Sequence, residues 1–151
     1  MQRKQKIENK KNAGAKFKIG IVVAEYNSDI TFAMRDGAIE TLKNSGVKES
    51  NIKVINSPGG FEIPFICQRL LKTKKYDGLI AIGCVIRGDT DHYVHIATES
   101  TRGIMDVMLK FDVPIANAIL TVNNLEQAQI RSKGDMNKGV EAAIALLKTL
   151  C

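Results

Sequence analysis

Short apolar runs rich in β-branched residues alternate along this chain with longer segments whose apolar residues recur at helical spacing. Four such runs predict strands, at residues 17–24, 51–56, 76–82 and 115–122. Strands joined through helices pair in parallel, because each chain crossover must return to the same edge of the sheet. The pattern therefore predicts an α/β fold, a three-layer α/β/α sandwich around a central, mainly parallel four-stranded sheet.

The helices between and after these strands are predicted from apolar periodicity and from capping residues. Ser28 or Asp29 is placed to cap the first helix, and Asp89 or Thr90 the third. Asn124 and Asn137 are placed to cap the last two. The predicted helices run to 44, over 62–72 and 94–110, from 124 to 131, and from 137 to 150. The resulting arrangement is flavodoxin-like.

Charge separates the chain into two parts. Of 22 basic and 16 acidic residues, seven basic and one acidic residue lie within residues 1–18. Fifteen of each sign remain, so the body is neutral. We predict a basic, disordered tail at 1–16 and a single domain at 17–151. A basic tail suits nucleic acid or anionic lipid, but a solvated terminus is the simpler interpretation, and we predict neither a nucleic-acid nor a membrane partner.

The composition also indicates an intracellular, cytoplasmic protein. The apolar runs are too short to span a bilayer, and residues 1–16 lack the apolar core of a secretory signal. Cys67, Cys84 and Cys151 are odd in number and lack CxxC spacing, which favours neither a disulfide framework nor a zinc ribbon.

Three turns follow strands and therefore meet at one edge of the predicted sheet, where α/β proteins bind ligands. They lie at 26–27, 57–62 and 87–92. In the second, Gly59-Gly60 allows close backbone approach to a ligand and Glu62 supplies a carboxylate, although a plain turn before a helix explains the same residues equally well. The third contains His92, whose imidazole is suited to proton transfer near neutral pH.

Other chemistries are weaker interpretations. His92 and His95 can share a helical face, but no third ligand stands at a recognisable spacing, so we predict no metal. A nucleophilic Cys84 near His92 is conceivable, yet a small buried thiol explains it better. Neither GxGxxG nor GxxxxGK[ST] occurs, which argues against dinucleotide and P-loop chemistry.

Five segments resemble the signature segments of the lumazine synthase family, in order and at family spacing. They are Ser57-Pro58-Gly59-Gly60-Phe61-Glu62-Ile63-Pro64, Gly83-Cys84-Val85-Ile86-Arg87-Gly88-Asp89-Thr90-Asp91-His92-Tyr93, Leu120-Thr121-Val122, Glu126-Gln127-Ala128 with Arg131, and Asn137-Lys138-Gly139. The resemblance covers nearly everything from Phe17 onward. It implies condensation of 5-amino-6-ribitylaminouracil with 3,4-dihydroxy-2-butanone 4-phosphate to 6,7-dimethyl-8-ribityllumazine, in riboflavin biosynthesis, without metal or organic cofactor.

The resemblance also implies a role for each matching residue. His92 matches the proton-transfer histidine, and Arg131 matches the phosphate-binding arginine. The aromatic that covers the pyrimidine is matched by Tyr26. The uracil and the ribityl chain are matched to Gly60, Phe61, Glu62, Cys84, Val85 and Ile86, and the ketose phosphate to Asp89 and Thr90.

Departures from the family pattern lie near the fourth strand. Asn117 stands where many relatives carry a ring-stacking phenylalanine, and Ala118 replaces a frequent glycine. The 131–137 loop is one residue shorter than in common members of the family. The resemblance further implies a homo-oligomer, a pentamer with active sites between subunits to which Asn117 and Arg131 come from the neighbour, and an association with riboflavin synthase.

Two alternative functions use the same fold. A flavodoxin-like flavin-binding module needs a hydroxyl- and glycine-rich phosphate loop after the first strand, where this chain has Tyr26-Asn27-Ser28-Asp29-Ile30-Thr31. A non-catalytic shell-forming protein would be expected to lose His92 or Arg131, and both are present.

Overall fold

Four parallel strands form one sheet in the computed structural model, which describes residues 14–151. Their order across the sheet is β2-β1-β3-β4, so β1 and β3 lie in the centre. The strands are β1 (Ile19–Ala24), β2 (Ile52–Ser57), β3 (Gly78–Ile86) and β4 (Ile115–Val122). The predicted parallel α/β fold is confirmed.

Helices cover both faces of the sheet. They are α1 (Ser28–Asn44), α2 (Ile63–Lys72), α3 (His92–Phe111), α4 (Leu125–Ile130) and α5 (Lys138–Leu150), with short 3₁₀ turns at Glu49–Asn51 and Gly134–Met136. Buried side chains of α1 and α5 share one core with the sheet, and those of α2 and α3 share the other. This gives the predicted three layers.

Strand β3 carries both cores, because successive side chains of a strand point to opposite faces. Ile80, Ile82 and Cys84 pack on the α1/α5 side, whereas Leu79 and Ala81 pack on the α2/α3 side. Each large side chain buried in this way stabilises the fold by about 1.5–3 kcal/mol. A continuous apolar run is therefore the sequence expected of a strand that is covered on both faces.

Two predicted helix caps are wrong. The N-cap of α1 is Asn27 rather than Ser28 or Asp29, and the N-cap of α3 is Asp91 rather than Asp89 or Thr90. Neither cap side chain bonds its own helix. The predicted caps of α4 and α5, Asn124 and Asn137, are confirmed by side-chain oxygens that accept backbone N–H bonds.

The predicted basic tail at 1–16 lies mostly outside the described residues. Its last three residues form a turn, in which Gly14 is buried and donates its N–H to the carbonyl of Ser45 at 3.1 Å. Within residues 14–151, no helix combines the length and the apolar character needed to cross a membrane.

Helices α1 and α5 cross at a glycine. A Cβ at Gly139 would collide with the backbone carbonyl of Met34 on α1, and a Cβ added at Gly37 of α1 would lie 2.5 Å from the side-chain nitrogen of Asn137. The two backbones therefore approach as closely as they do because Gly139 has no side chain. This contact fixes the position of α5 on the sheet.

We expect Gly139→Ala to destabilise the fold by at least about 1–3 kcal/mol, because the new methyl group meets a backbone atom that cannot move aside. The usual gain from replacing a helical glycine by alanine, about 1 kcal/mol, opposes this loss without cancelling it. Urea unfolding followed by circular dichroism measures the change. Gly88→Ala is the control, since a Cβ there meets nothing within 4 Å; equal stability of both variants would contradict the crossing argument.

Candidate active site

The site begins where two neighbouring strands end at different heights. Strand β1 pairs with β3 only as far as Val23 and Ile82, while β3 continues beside β4 through Ile86. The order of strands also changes here: β2 is added on one side of β1, whereas β3 and then β4 are added on the other side. Ligands of open α/β sheets bind at such switch points.

A cavity of about 450 Å³ opens at this point. The turns after β1, β2 and β3 all contribute to it, as predicted from the order of the elements. Nine of the twelve predicted site residues line the cavity: Tyr26, Gly60, Phe61, Glu62, Cys84, Val85, Ile86, Thr90 and His92. The structure therefore brings together in one chain most of the residues that the sequence singled out.

The first two turns are joined through their backbones. Glu25 donates its N–H to Ser57 at 2.8 Å, and Tyr26 donates its N–H to Pro58 at 3.2 Å. Within the second turn, the Ser57 hydroxyl donates to the carbonyl of Gly59 at 2.8 Å. These bonds hold the exposed Tyr26 ring beside the glycine-rich turn, where an aromatic face can cover a planar ligand.

Gly60 determines how deep the cavity is. A Cβ built there would lie 3.7 Å from Ile96 and 3.8 Å from Val85, in ordinary contact with two lining residues. Any larger side chain at this position would take up the space that a ligand needs. Glu62 follows as the N-cap residue of α2 and supplies a carboxylate at the same wall.

The third turn leads into the long helix α3. His92 is its first residue and is exposed, and its N–H meets the Thr90 hydroxyl at 3.4 Å. The guanidinium of Arg87 lies over the Tyr93 ring, 5.7 Å from its centre. Backbone N–H groups at the start of a 20-residue helix favour an anion, so the imidazole stands beside a place suited to phosphate.

Burial keeps the cavity thiol neutral. Cys84 is 5% exposed, and burial, with Asp29 nearby, raises its pKa to about 11. A thiol in that state is a poor nucleophile at neutral pH. This agrees with the interpretation of Cys84 as a small apolar wall residue.

Three predicted residues do not line the cavity of the single chain. Asp89 is exposed in the third turn. Asn117 is exposed on β4, and its side-chain oxygen accepts the N–H of Ile119 at 2.9 Å. Arg131 ends α4, where its guanidinium donates to the carbonyl of Gln127 at 3.1 Å.

Five lining residues are not among the twelve predicted site residues: Asn27, Gly59, Gly88, Tyr93 and Ile96. Asn27, Gly59 and Gly88 belong to the three predicted turns, and Tyr93 directly follows the third, so proximity in sequence to Tyr26, Gly60 and His92 was the available signal. Ile96 lies four residues after His92, which is one helical turn.

The lining is polar in places but carries no positive side chain. Among residues 14–151, no lysine or arginine lines the cavity. In the same part of the chain, no three His, Cys, Asp or Glu residues are grouped to hold a metal ion. The fold and site define an α/β protein with a crevice sized for a small organic ligand, furnished with one imidazole, one carboxylate and an anion-favouring helix start.

Comparisons with known proteins identify the family. The model of the family described as 6,7-dimethyl-8-ribityllumazine synthase matches residues 16–151. A relative of that name from Phocaeicola vulgatus is 42% identical over 134 residues, or 88% of this chain and 80% of the relative. One from Bacteroides fragilis is 42% identical over 134 residues, which cover 88% of this chain and 94% of the relative. One from Parabacteroides distasonis is 44% identical over 131 residues, which cover 86% of this chain and 82% of the relative.

The chain belongs to the 6,7-dimethyl-8-ribityllumazine synthase family. Members of this family are transferases of riboflavin biosynthesis that act on small molecules. The resemblance found in the five sequence segments is confirmed.

The two buried thiols predict a loss of stability in alkali. Burial raises the pKa of Cys67 to about 12 and that of Cys84 to about 11, while an unfolded thiol loses its proton near pH 9. Between these values only the unfolded state releases protons, so the stabilisation is complete below about pH 9 and is lost as pH rises toward 11–12.

For Cys67 the expected slope is up to about 1.4 kcal/mol per pH unit. Urea unfolding at pH 8, 9 and 10 should show a flatter pH dependence for Cys67→Ala than for the wild type. The exposed Cys151 provides the control. If Cys151→Ser flattened the dependence as much, burial would not be the cause.

Proposed function

We propose that this protein condenses 5-amino-6-ribitylaminouracil with 3,4-dihydroxy-2-butanone 4-phosphate to give 6,7-dimethyl-8-ribityllumazine. The observation that supports the proposal is the cavity at the β1/β3 switch point, which gathers nine of the residues that the family resemblance assigns to substrate binding and proton transfer. Both substrates are small and polar, and one is an anion. The proposal includes no metal and no organic cofactor.

The reaction forms two carbon–nitrogen bonds to carbon atoms of the ketose. The 5-amino group attacks the ketone, and loss of one water leaves an imine. Removal of a proton from the adjacent carbon expels phosphate from the next carbon, and the resulting enol takes up a proton to become a methyl ketone. The ribityl-bearing nitrogen attacks this carbonyl, and loss of a second water closes the ring.

In this scheme His92 moves the protons. It begins α3 at the cavity wall, where it can take the proton from the carbon next to the imine and return one to the enol. The Tyr26 ring covers the pyrimidine, and the carboxylate of Glu62 accepts hydrogen bonds from the ribityl hydroxyls. Phe61, Cys84, Val85 and Ile86 form the walls around the two, and Gly60 leaves room for the ring.

The phosphate is received in two ways. The turn at Asp89-Thr90 offers the Thr90 hydroxyl and backbone N–H groups, and the start of α3 favours negative charge. A side-chain cation would have to come from elsewhere, since the described lining contains none. We assign that role to Arg131 of a neighbouring subunit, because a guanidinium binds phosphate through two parallel hydrogen bonds.

We propose a homopentamer, as the family resemblance implies, with Asn117 and Arg131 facing the neighbour's cavity. An apolar stripe on α3 supports contact with a second copy. Val94, Met105 and Leu109 are 44%, 49% and 71% exposed and fall on one side of the helix by its periodicity. An association with riboflavin synthase and a cytoplasmic location complete the proposal; the three free cysteines support the location.

Purified protein mixed with both substrates should release lumazine, seen by its absorbance, and phosphate. Neither metal nor cofactor should be needed, and EDTA should have no effect. If activity disappeared with EDTA and returned with zinc, the mechanism proposed above would be wrong. A protein isolated yellow with stoichiometric flavin would favour the alternative flavin-binding module.

His92→Ala should lower turnover by roughly 10²–10⁴, because general acid-base catalysis contributes about that much. Substrate positioning should survive, so some activity should remain. His95 does not line the cavity, so His95→Ala is the matched control and should cost far less. Equal losses in the two variants would indicate damage to the fold of α3 instead.

Mixing His92→Ala chains with Arg131→Ala chains, each of low activity alone, should restore activity after dissociation and reassembly. In a closed ring with random mixing, roughly a quarter of the interfaces receive wild-type residues from both sides. Each variant reassembled with itself should keep only its own low activity. Failure to recover activity, with subunit exchange verified by mass spectrometry, would show that Arg131 does not serve a neighbour's site.

A further inference from the structure

Asn27 connects β1 to β3 across the mouth of the cavity. Its side-chain amide donates to the carbonyl of Cys84 at 2.9 Å, over a separation of 57 residues. Both residues line the cavity, and neither Asn27 nor this bond belongs to the predicted site. The bond is partly buried.

The direction of the Cys84 carbonyl explains why this bond exists. In β3, the N–H groups of Leu79 and Arg87 bond to carbonyls at the two ends of β4. The backbone N–H and C=O groups of odd-numbered residues in β3 therefore point toward β4, and those of even-numbered residues point toward β1, because these groups alternate in direction along a strand. The carbonyl of Cys84 thus faces β1.

Strand β1 ends before it reaches Cys84, so it has no backbone N–H group that could bond to this carbonyl. The last β1–β3 pair is Val23 with Ile82, two residues before Cys84. A carbonyl half-buried at a strand edge without a partner is costly. The amide of Asn27 replaces the missing backbone donor and spans the gap where the strands part.

The backbone of Asn27 is shaped for this task. Its φ of 57° and ψ of 46° lie in the left-handed region, which few residues other than glycine, asparagine and aspartate adopt readily. Its carbonyl accepts the N–H groups of Ile30 and Thr31, both at 3.0 Å. Because those bonds start α1 without the side chain, the amide remains available to cross to β3.

We propose that Asn27 is a positioning residue for the pyrimidine site: it fixes the distance between the turn that carries Tyr26 and the end of β3. The inference rests on the proposed function for its substrate, though its geometry does not. Tyr26 is already bound to the second turn through Pro58, so Asn27 connects these two turns to the end of β3, from which the third turn starts. Its loss should loosen the ring-covering wall and leave His92 and Thr90 in place.

The test separates the side chain from the backbone conformation. Asn27→Gly keeps the left-handed turn and removes the amide. Asn27→Asp keeps a side chain of the same shape but sets a carboxylate against the Cys84 carbonyl. We expect the KM for the uracil substrate to rise about tenfold in the glycine variant, with kcat changed less than about threefold, and to rise at least as much in the aspartate variant.

Thr31→Val is the matched control. Thr31 lies in the first turn of α1, and its hydroxyl donates to the carbonyl of Ala24 at 2.6 Å. Unlike Asn27, it is buried and does not line the cavity. This variant should unfold at lower urea concentration with an unchanged KM. A KM unchanged in Asn27→Gly, or raised equally in Thr31→Val, would overturn the positioning role.

Amide hydrogen exchange decides the geometry without any substrate. In Asn27→Gly, the peptide containing the N–H groups of Glu25 and Tyr26 should exchange at least about tenfold faster, while peptides of α5 stay unchanged. Wild-type protein that makes no lumazine would refute the proposed reaction, and the exchange rates would still decide the connection. Equal exchange in wild type and Asn27→Gly would overturn the inference.

Discussion

The two sides of β3 are hydrogen-bonded over different lengths, and the site follows from this difference. Five residues of β3 pair with β1, whereas eight pair with β4. The end of β3 therefore stands free on one side while it remains supported on the other. A ligand can enter beside a strand that is still held rigid, which is the condition under which a binding wall keeps its shape.

In this arrangement the side chains that stabilise an element differ from the groups that the same element presents to the cavity. The side chains of β3 are buried up to Val85, so the strand is fixed by both cores, and its last turn only has to present polar groups. His92 is the first residue of a 20-residue helix, so a long regular element carries it. The Tyr26 ring is exposed, and the turn that carries it is restrained by backbone hydrogen bonds and by the Asn27 side chain.

The sequence predicted those features of the fold that depend on interactions between residues close together in the chain. Strand β4 was predicted with its observed bounds, Ile115–Val122, because Pro114 and the following polar residues mark its ends. Asn124 and Asn137 were recognised as caps because each bonds its own helix. Apolar content and periodicity need no knowledge of partners, and the fold could be predicted from them.

What the sequence could not give depends on partners distant in the chain. The third strand was predicted to end at residue 82, yet β3 continues to Ile86 because it pairs with β4 there. Asn27 was missed as a lining residue because its bond partner lies 57 residues away. The positions of Asn117 and Arg131 outside the single-chain cavity were equally invisible to spacing and were supplied by family resemblance alone.

The exposed edge of β4 has a further consequence for how this protein behaves at high concentration. Odd-numbered residues of β4 direct their N–H groups away from β3, and an unpaired row of such groups is a template on which another chain can add a strand. Asn117 occupies one of them, because its side-chain oxygen accepts the N–H of Ile119 in the middle of the strand. An incoming strand must displace that bond before it can pair, so the Asn117 side chain makes this edge a poorer template for strand addition.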